Sequence, residues 1–81
     1  MRPVIKEITP EIAADLLNHA RDGNLMKRIK IERYKDLMLS GKWKNKVGTP
    51  IIFKRGILFD GRHRLTAIVE TGLTFYMPFE T

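Results

Sequence analysis

Cysteine is absent from the 81-residue sequence, and so is any long apolar run. Without cysteine the chain has no disulfide, no thiolate catalysis and no cysteine-based zinc site. Without a long apolar run no segment is expected to cross a membrane, and the N-terminus lacks the pattern of a signal peptide. We therefore expect a cytoplasmic protein with no membrane partner.

Acidic residues are scarce as well. The chain has 9 Asp and Glu against 15 Lys and Arg, which gives a net charge of +6. This balance favours acidic partners such as nucleic acid, nucleotides or an acidic protein surface, although small soluble domains often carry such a charge without one. Glu7, Glu11 and Glu32 are scattered along the chain, so the sequence does not support a metal site for phosphodiester hydrolysis.

The residues that are present suit one small domain over residues 1–81, because 43% of them are hydrophobic. An alternating pattern predicts a strand at Val4–Ile8, and Thr9 and Pro10 predict a helix start with Thr9 as N-cap. Pro78 predicts that the last strand either lies at an edge of the sheet or frays at this residue. The other predicted elements are a helix over about residues 30–40, strands at 51–53 and 57–59, a helix over about 61–71 and a strand at 73–79.

The stretch around which the chain is organised reads as a strand, a glycine turn and a helix, at residues 59–68. Asp60 is the predicted N-cap of that helix, and Gly72 lies where a C-cap glycine would lie. Two arginines and a histidine occupy the first turn, where cations oppose the helix dipole. Helix stability does not explain them, whereas free N–H groups and cationic donors together make an anion site.

The same helix has an apolar face. Leu65, Ile68 and Val69 repeat at i, i+3 and i+4, so they share one side of the helix. We expect these side chains to be buried against the neighbouring hairpin, at Ile51, Phe53 and Ile57.

The strand, glycine turn and helix start at residues 58–67 resemble the phosphate-binding turn of the ParB/sulfiredoxin superfamily. It is most similar to the phage and bacterial branch with the motif Leu-hydrophobic-Asp-Gly-Gln-His-Arg-Leu-x-Ala, here Leu58–Ala67 with Arg62 in place of Gln. Residues 33–43 resemble that branch's helix ending in Met-x-x-Gly-x-Trp, and residues 50–53 resemble its next strand. The resemblance covers roughly residues 8–72.

The resemblance implies an α+β fold: a small mixed sheet of about four strands with three helices, similar to a minimal ParB/sulfiredoxin core. It also implies a bacterial or phage-infected host cell. Sulfiredoxin chemistry is excluded because that family uses a cysteine in this turn. Relatives hydrolyse CTP or use ATP, so CTP or ATP is a candidate ligand; a metal is not supported. A homodimer is a further expectation, because a small core with an exposed edge strand is stabilised when that strand pairs with a second copy.

The predicted phosphate or nucleic-acid site comprises Gly61, Arg62, His63, Arg64, Lys42, Lys44 and Lys46. Arg64 matches the arginine of the family motif and is the favoured phosphate ligand; alternatively, it pairs with a carboxylate such as Glu11 or Glu70. His63 is expected to donate a hydrogen bond rather than to act as a general base. Gly61 would let a ligand approach the backbone closely. Trp43 is expected to pack in the core rather than to stack on a base.

Three classes of function remain open. The favoured one is a small basic phosphate-recognising module of phage or mobile-element type that binds DNA or a nucleotide. The second is a ParB-like nuclease or nucleotide hydrolase, for which we find no catalytic residues. The third is a small phage protein that binds and inhibits a host protein, which the family branch and the chain size permit.

Overall fold

The computed structural model describes residues 4–20, 27–43 and 50–81. These residues form the α+β fold that the sequence predicts, with three helices and four strands. In chain order the elements are β1 (Val4–Ile8), α1 (Pro10–Leu17), α2 (Arg28–Leu39), β2 (Ile51–Lys54), β3 (Ile57–Asp60), α3 (Arg62–Thr71) and β4 (Phe75–Glu80).

Local signals set several of these boundaries as predicted. The Thr9 hydroxyl caps α1 by accepting from the Ile12 N–H at 3.1 Å, and Pro10 begins the helix. Gly72 ends α3 in the left-handed conformation, with φ at 71°. Its N–H donates to the Ile68 carbonyl at 2.9 Å. None of the helices formed by the described residues has the length and apolar character of a membrane span.

The four strands form one mixed sheet in the order β1-β4-β2-β3. β4 pairs antiparallel with β1 and parallel with β2, and β2 pairs antiparallel with β3. The prediction that Pro78 places β4 at an edge or frays it is therefore wrong. β2 pairs with β4 only at Phe79 and Glu80, so Pro78 precedes the part of β4 that is paired on both sides.

The buried core lies between the sheet and the helices, and α3 is its central helix. Leu65 and Ile68 are fully buried, as predicted, but Val69 is 39% exposed. The buried positions of α3 are Arg64, Leu65, Ala67 and Ile68, an arc that leaves Val69 at its border.

The hairpin also presents a different residue to the core. Ile57 is 38% exposed and its neighbour Leu58 is buried, which corrects the predicted face of β3. A two-residue turn at Arg55 and Gly56, both with positive φ, pairs Lys54 with Ile57. Because side chains alternate along a strand, this register turns Leu58 inward. Phe53 and Ile51 contact the core as predicted.

Candidate anion-binding site

The turn between β3 and α3 has a glycine, not an aspartate, as its N-cap. Gly61 holds that position with φ at 106°, and Asp60 is the last residue of β3. The Asp60 carboxylate accepts from the Gly61 N–H at 2.9 Å. The prediction that Asp60 is the N-cap of α3 is therefore wrong, because Gly61 occupies that position. No side chain of the N-cap residue covers the first turn of α3.

Gly61 is required by the fold itself. A Cβ atom added there would lie 2.9 Å from Cγ1 of Ile51, and the positive φ already disfavours any other residue. Gly61 is also buried. Its Cα therefore approaches the core strand β2 closely, and this contact accounts for the glycine without a ligand.

Arg64 is the unusual residue of the site. Its side chain points into the interior, where the residue is only 4% exposed. Nη1 is buried and has no hydrogen-bond partner among the described residues. Burial lowers the pKa of the guanidinium, while Asp60 and Tyr34 act in the opposite direction. The group still remains a cation at neutral pH. A buried cation with an unused donor atom is energetically costly, so its position calls for an explanation.

The carboxylates considered as partners of Arg64 do not pair with it. Glu70 instead binds Arg28 and Lys35 of α2, and no ion pair joins Arg64 to Glu11 among the described residues. Hydrogen bonds from Arg28 and then Lys35 hold the pKa of Glu70 at about 2. Glu32 completes this ion-pair network on one flank of α2. The alternative role of Arg64 as a partner of Glu11 or Glu70 is therefore wrong.

His63 joins the starts of two helices. Its Nε2 accepts from the N–H of Lys27, the N-cap residue of α2, at 3.0 Å. The imidazole is therefore neutral with its proton on Nδ1, and only Nδ1–H is left to donate to a ligand. Burial is the main cause that lowers the His63 pKa, followed by the charges of Lys30, Arg62 and Lys27.

This bond brings two positive helix ends together. Neither α2 nor α3 has an acidic residue in its first turn or a capping side chain at its N-cap. The N–H groups of His63 and Arg64 have no acceptor among the described residues. Unpaired N–H groups and the helix dipoles both favour an anion at this place.

The other predicted site residues are not all part of this cluster. Lys42 is exposed just beyond the C-terminal end of α2, whereas His63 contacts its N-terminal end. Lys44 and Lys46 lie outside the described residues. Trp43 packs against the core as predicted, with its ring 5.4 Å from Tyr34 and 6.1 Å from Phe75.

Sequence reasoning missed the contribution of α2 to the site. Lys27 and Lys30 lie close enough to His63 to lower its pKa, yet they are more than thirty residues away in the chain. The available signal was the lysine spacing at the start of α2, with no acid in its first turn.

Within the described residues, no group of three or more His, Asp and Glu side chains is arranged to hold a metal ion. Comparisons with models of protein families, with curated proteins and with solved structures found no match. The description of this protein therefore rests on its structure: a small basic α+β protein in which the N-termini of α2 and α3 lie together without an acidic residue in the first turn of either helix.

Proposed function

We propose that this protein is a small phosphate-recognising module that binds nucleic acid or a nucleotide. The observation that carries the proposal is the buried guanidinium of Arg64, which has no ion-pair partner among the described residues. The residue lies in the first turn of a helix whose N-terminus attracts anions. The resemblance of residues 58–67 to the ParB/sulfiredoxin turn supports the same function and suggests a phage or mobile-element origin.

Phosphate suits the donors of this turn. An arginine presents N–H groups in a planar fork that matches the oxygens of a phosphate, and backbone N–H groups add further donors. A hydrogen bond to a charged group contributes roughly 1.5–3 kcal/mol. A bound anion would thus offset the cost of burying Arg64. Arg62 lies in the same turn and adds positive charge.

The proposal concerns binding, and it assigns no catalytic residue. CTP and ATP are candidate nucleotides because of the family resemblance, and a DNA strand offers the same phosphate chemistry. The alternative roles, as a nuclease or as an inhibitor of a host protein, receive no specific support from the contacts of the described residues.

Equilibrium titration of Arg64→Met tests the proposal. The ligands are CTP, ATP, pyrophosphate and a short DNA duplex, with Arg55→Met as the matched control. Arg55 has the same charge but lies in the hairpin turn, at the far end of β3 from the site. We expect Arg64→Met to weaken binding about tenfold or more, and Arg55→Met to have little effect on nucleotide binding. Equal affinity of wild type and Arg64→Met for every ligand would contradict the proposal.

A further inference from the structure

The two flanks of α2 carry their charges differently. On one flank, Arg28 and Lys35 are neutralised by Glu32 and Glu70. On the other side of the helix, the exposed residues Lys27, Lys30 and Arg33 form no salt bridge within the described parts of the chain. We call these three residues the cationic strip.

The cationic strip is continuous with the turn of α3. Lys27 provides the N–H that binds His63, and the charges of Lys27, Lys30 and Arg62 all act on the His63 imidazole. Successive members of the strip are three residues apart. At a rise of about 1.5 Å per residue they advance about 4.5 Å per step, or about 9 Å from Lys27 to Arg33. The positive surface thus extends well beyond a site for one phosphate group.

We propose that the cationic strip binds the phosphate backbone of a nucleic-acid strand whose nearest phosphate occupies the turn of α3. This inference rests on the proposed phosphate recognition and narrows it to a polynucleotide. A free nucleotide would fill the turn of α3 without reaching Arg33, which lies about 9 Å along the helix from Lys27. A strand presents a row of phosphates, and so its charge is complementary to a row of unpaired cations.

In this proposal the cationic strip contacts the phosphate backbone of the nucleic acid rather than its bases. The strip itself has no aromatic side chain, and Trp43 packs against Tyr34 and Phe75 instead of offering a stacking surface. Phosphate contacts fix the position of a protein on nucleic acid without reading its sequence. Affinity should therefore depend on salt and strand charge far more than on base sequence.

The test compares the double variant Lys30→Gln/Arg33→Gln with the control Lys6→Gln/Arg55→Gln, which removes the same charge from β1 and the hairpin turn. Each is titrated with a DNA duplex of about twenty base pairs, its shuffled sequence, a single strand of equal length, and CTP. We expect the strip variant to lose about tenfold in duplex affinity at low salt. The slope of log K against log salt should become shallower by about 2, since each lost phosphate contact removes about 0.9.

The same variant should lose much less affinity for CTP than for the duplex, because CTP does not extend along the strip, and both duplex sequences should bind alike. Unchanged duplex affinity and salt slope in the strip variant would overturn the inference. An equal loss in the control variant would also overturn it, because net charge rather than the strip would then govern binding. Neither result contradicts the proposed function. That function is contradicted if Arg64→Met binds every phosphate ligand as tightly as wild type does.

Discussion

Arg64 carries a cost to folding and, in the proposed function, a role in binding, and the two can be measured separately. The buried guanidinium has an unpaired donor within the described structure, so replacing it with an apolar side chain of similar length removes a desolvation penalty. We expect Arg64→Met to be at least as stable as wild type in urea unfolding. A gain of roughly 1–3 kcal/mol would match the cost of one buried donor left without a hydrogen bond.

A purely structural arginine would behave in the opposite way. If Arg64 stabilised α3 through an ion pair, the variant would lose stability and keep its ligand affinity. Measuring the free energy of unfolding and the dissociation constant on the same preparation distinguishes these cases.

His63 makes stability depend on pH in a defined direction. Its pKa is lowered below the ordinary value of 6.5, so the unfolded chain binds the proton more readily than the folded one. Above that ordinary value the effect vanishes. As the pH falls from about 6.5 towards the lowered pKa, we expect the free energy of unfolding to fall as well, because protonation breaks the bond from Lys27.

Urea unfolding at closely spaced pH values between 8 and 5 measures this dependence. His63→Gln cannot take up a proton at that position, so its stability should fall less over the same interval. Identical pH profiles for the two proteins would show that the imidazole does not accept the Lys27 N–H in solution.

Gly61 and Gly72 provide a matched pair at the two ends of α3. Both have positive φ, but an added Cβ contacts Ile51 at Gly61 and meets nothing within 4 Å at Gly72. We expect Gly61→Ala to lose more stability than Gly72→Ala, since strain at a positive φ costs about 1–3 kcal/mol and the clash adds to it. Thermal unfolding measures both, and equal losses would rule out the close approach of Gly61 to β2.

At the scale of elements, α3 is held by a narrower apolar face than its sequence suggests. Leu65 is fully buried, whereas Val69 is 39% exposed. Leu65→Ala should therefore lower the free energy of unfolding by about 2–5 kcal/mol. Val69→Ala should cost well under half of that, as the side chain is partly in water. Chemical denaturation measures both, and similar losses would contradict the observed orientation of α3.

Elements with strong local signals could be predicted from the sequence. Thr9 and Pro10 mark the start of α1, Gly72 marks the end of α3, and the hairpin turn lies where its glycine predicts. These features depend on chemistry within a few residues. The N-cap of α3 was misplaced by one residue, because Asp60 and Gly61 are both accepted there and only the backbone conformation distinguishes them.

Long-range features could not be predicted in this way. The parallel pairing of β2 with β4 places Pro78 in an interior strand, and nothing near Pro78 in the sequence reports it. Likewise, the bond from Lys27 to His63 joins residues 36 positions apart. The sequence therefore predicts only the contiguous part of the candidate site, in the first turn of α3. The contribution of α2 depends on how α2 packs against α3.

At the scale of the molecule, the fold gathers positive charge at one place. Packing of α2 on α3 neutralises one flank through Glu70 and leaves the other flank to the cationic strip. The same packing brings two helix N-termini together. The charges of Lys27, Lys30 and Arg62 therefore lie near the turn of α3, where the proposed phosphate ligand would meet both helix dipoles and cationic side chains.

The most direct test of this account is an NMR titration of the isotope-labelled protein with pyrophosphate and then with a DNA duplex. We expect the largest chemical-shift changes at the backbone N–H groups of His63 and Arg64 and at the Arg64 side-chain Nε–H. With the duplex, further changes should follow along Lys27–Arg33. Largest changes at the hairpin turn around Arg55, or no change at Arg64 with either ligand, would contradict the central claim that Arg64 is buried to hold a phosphate.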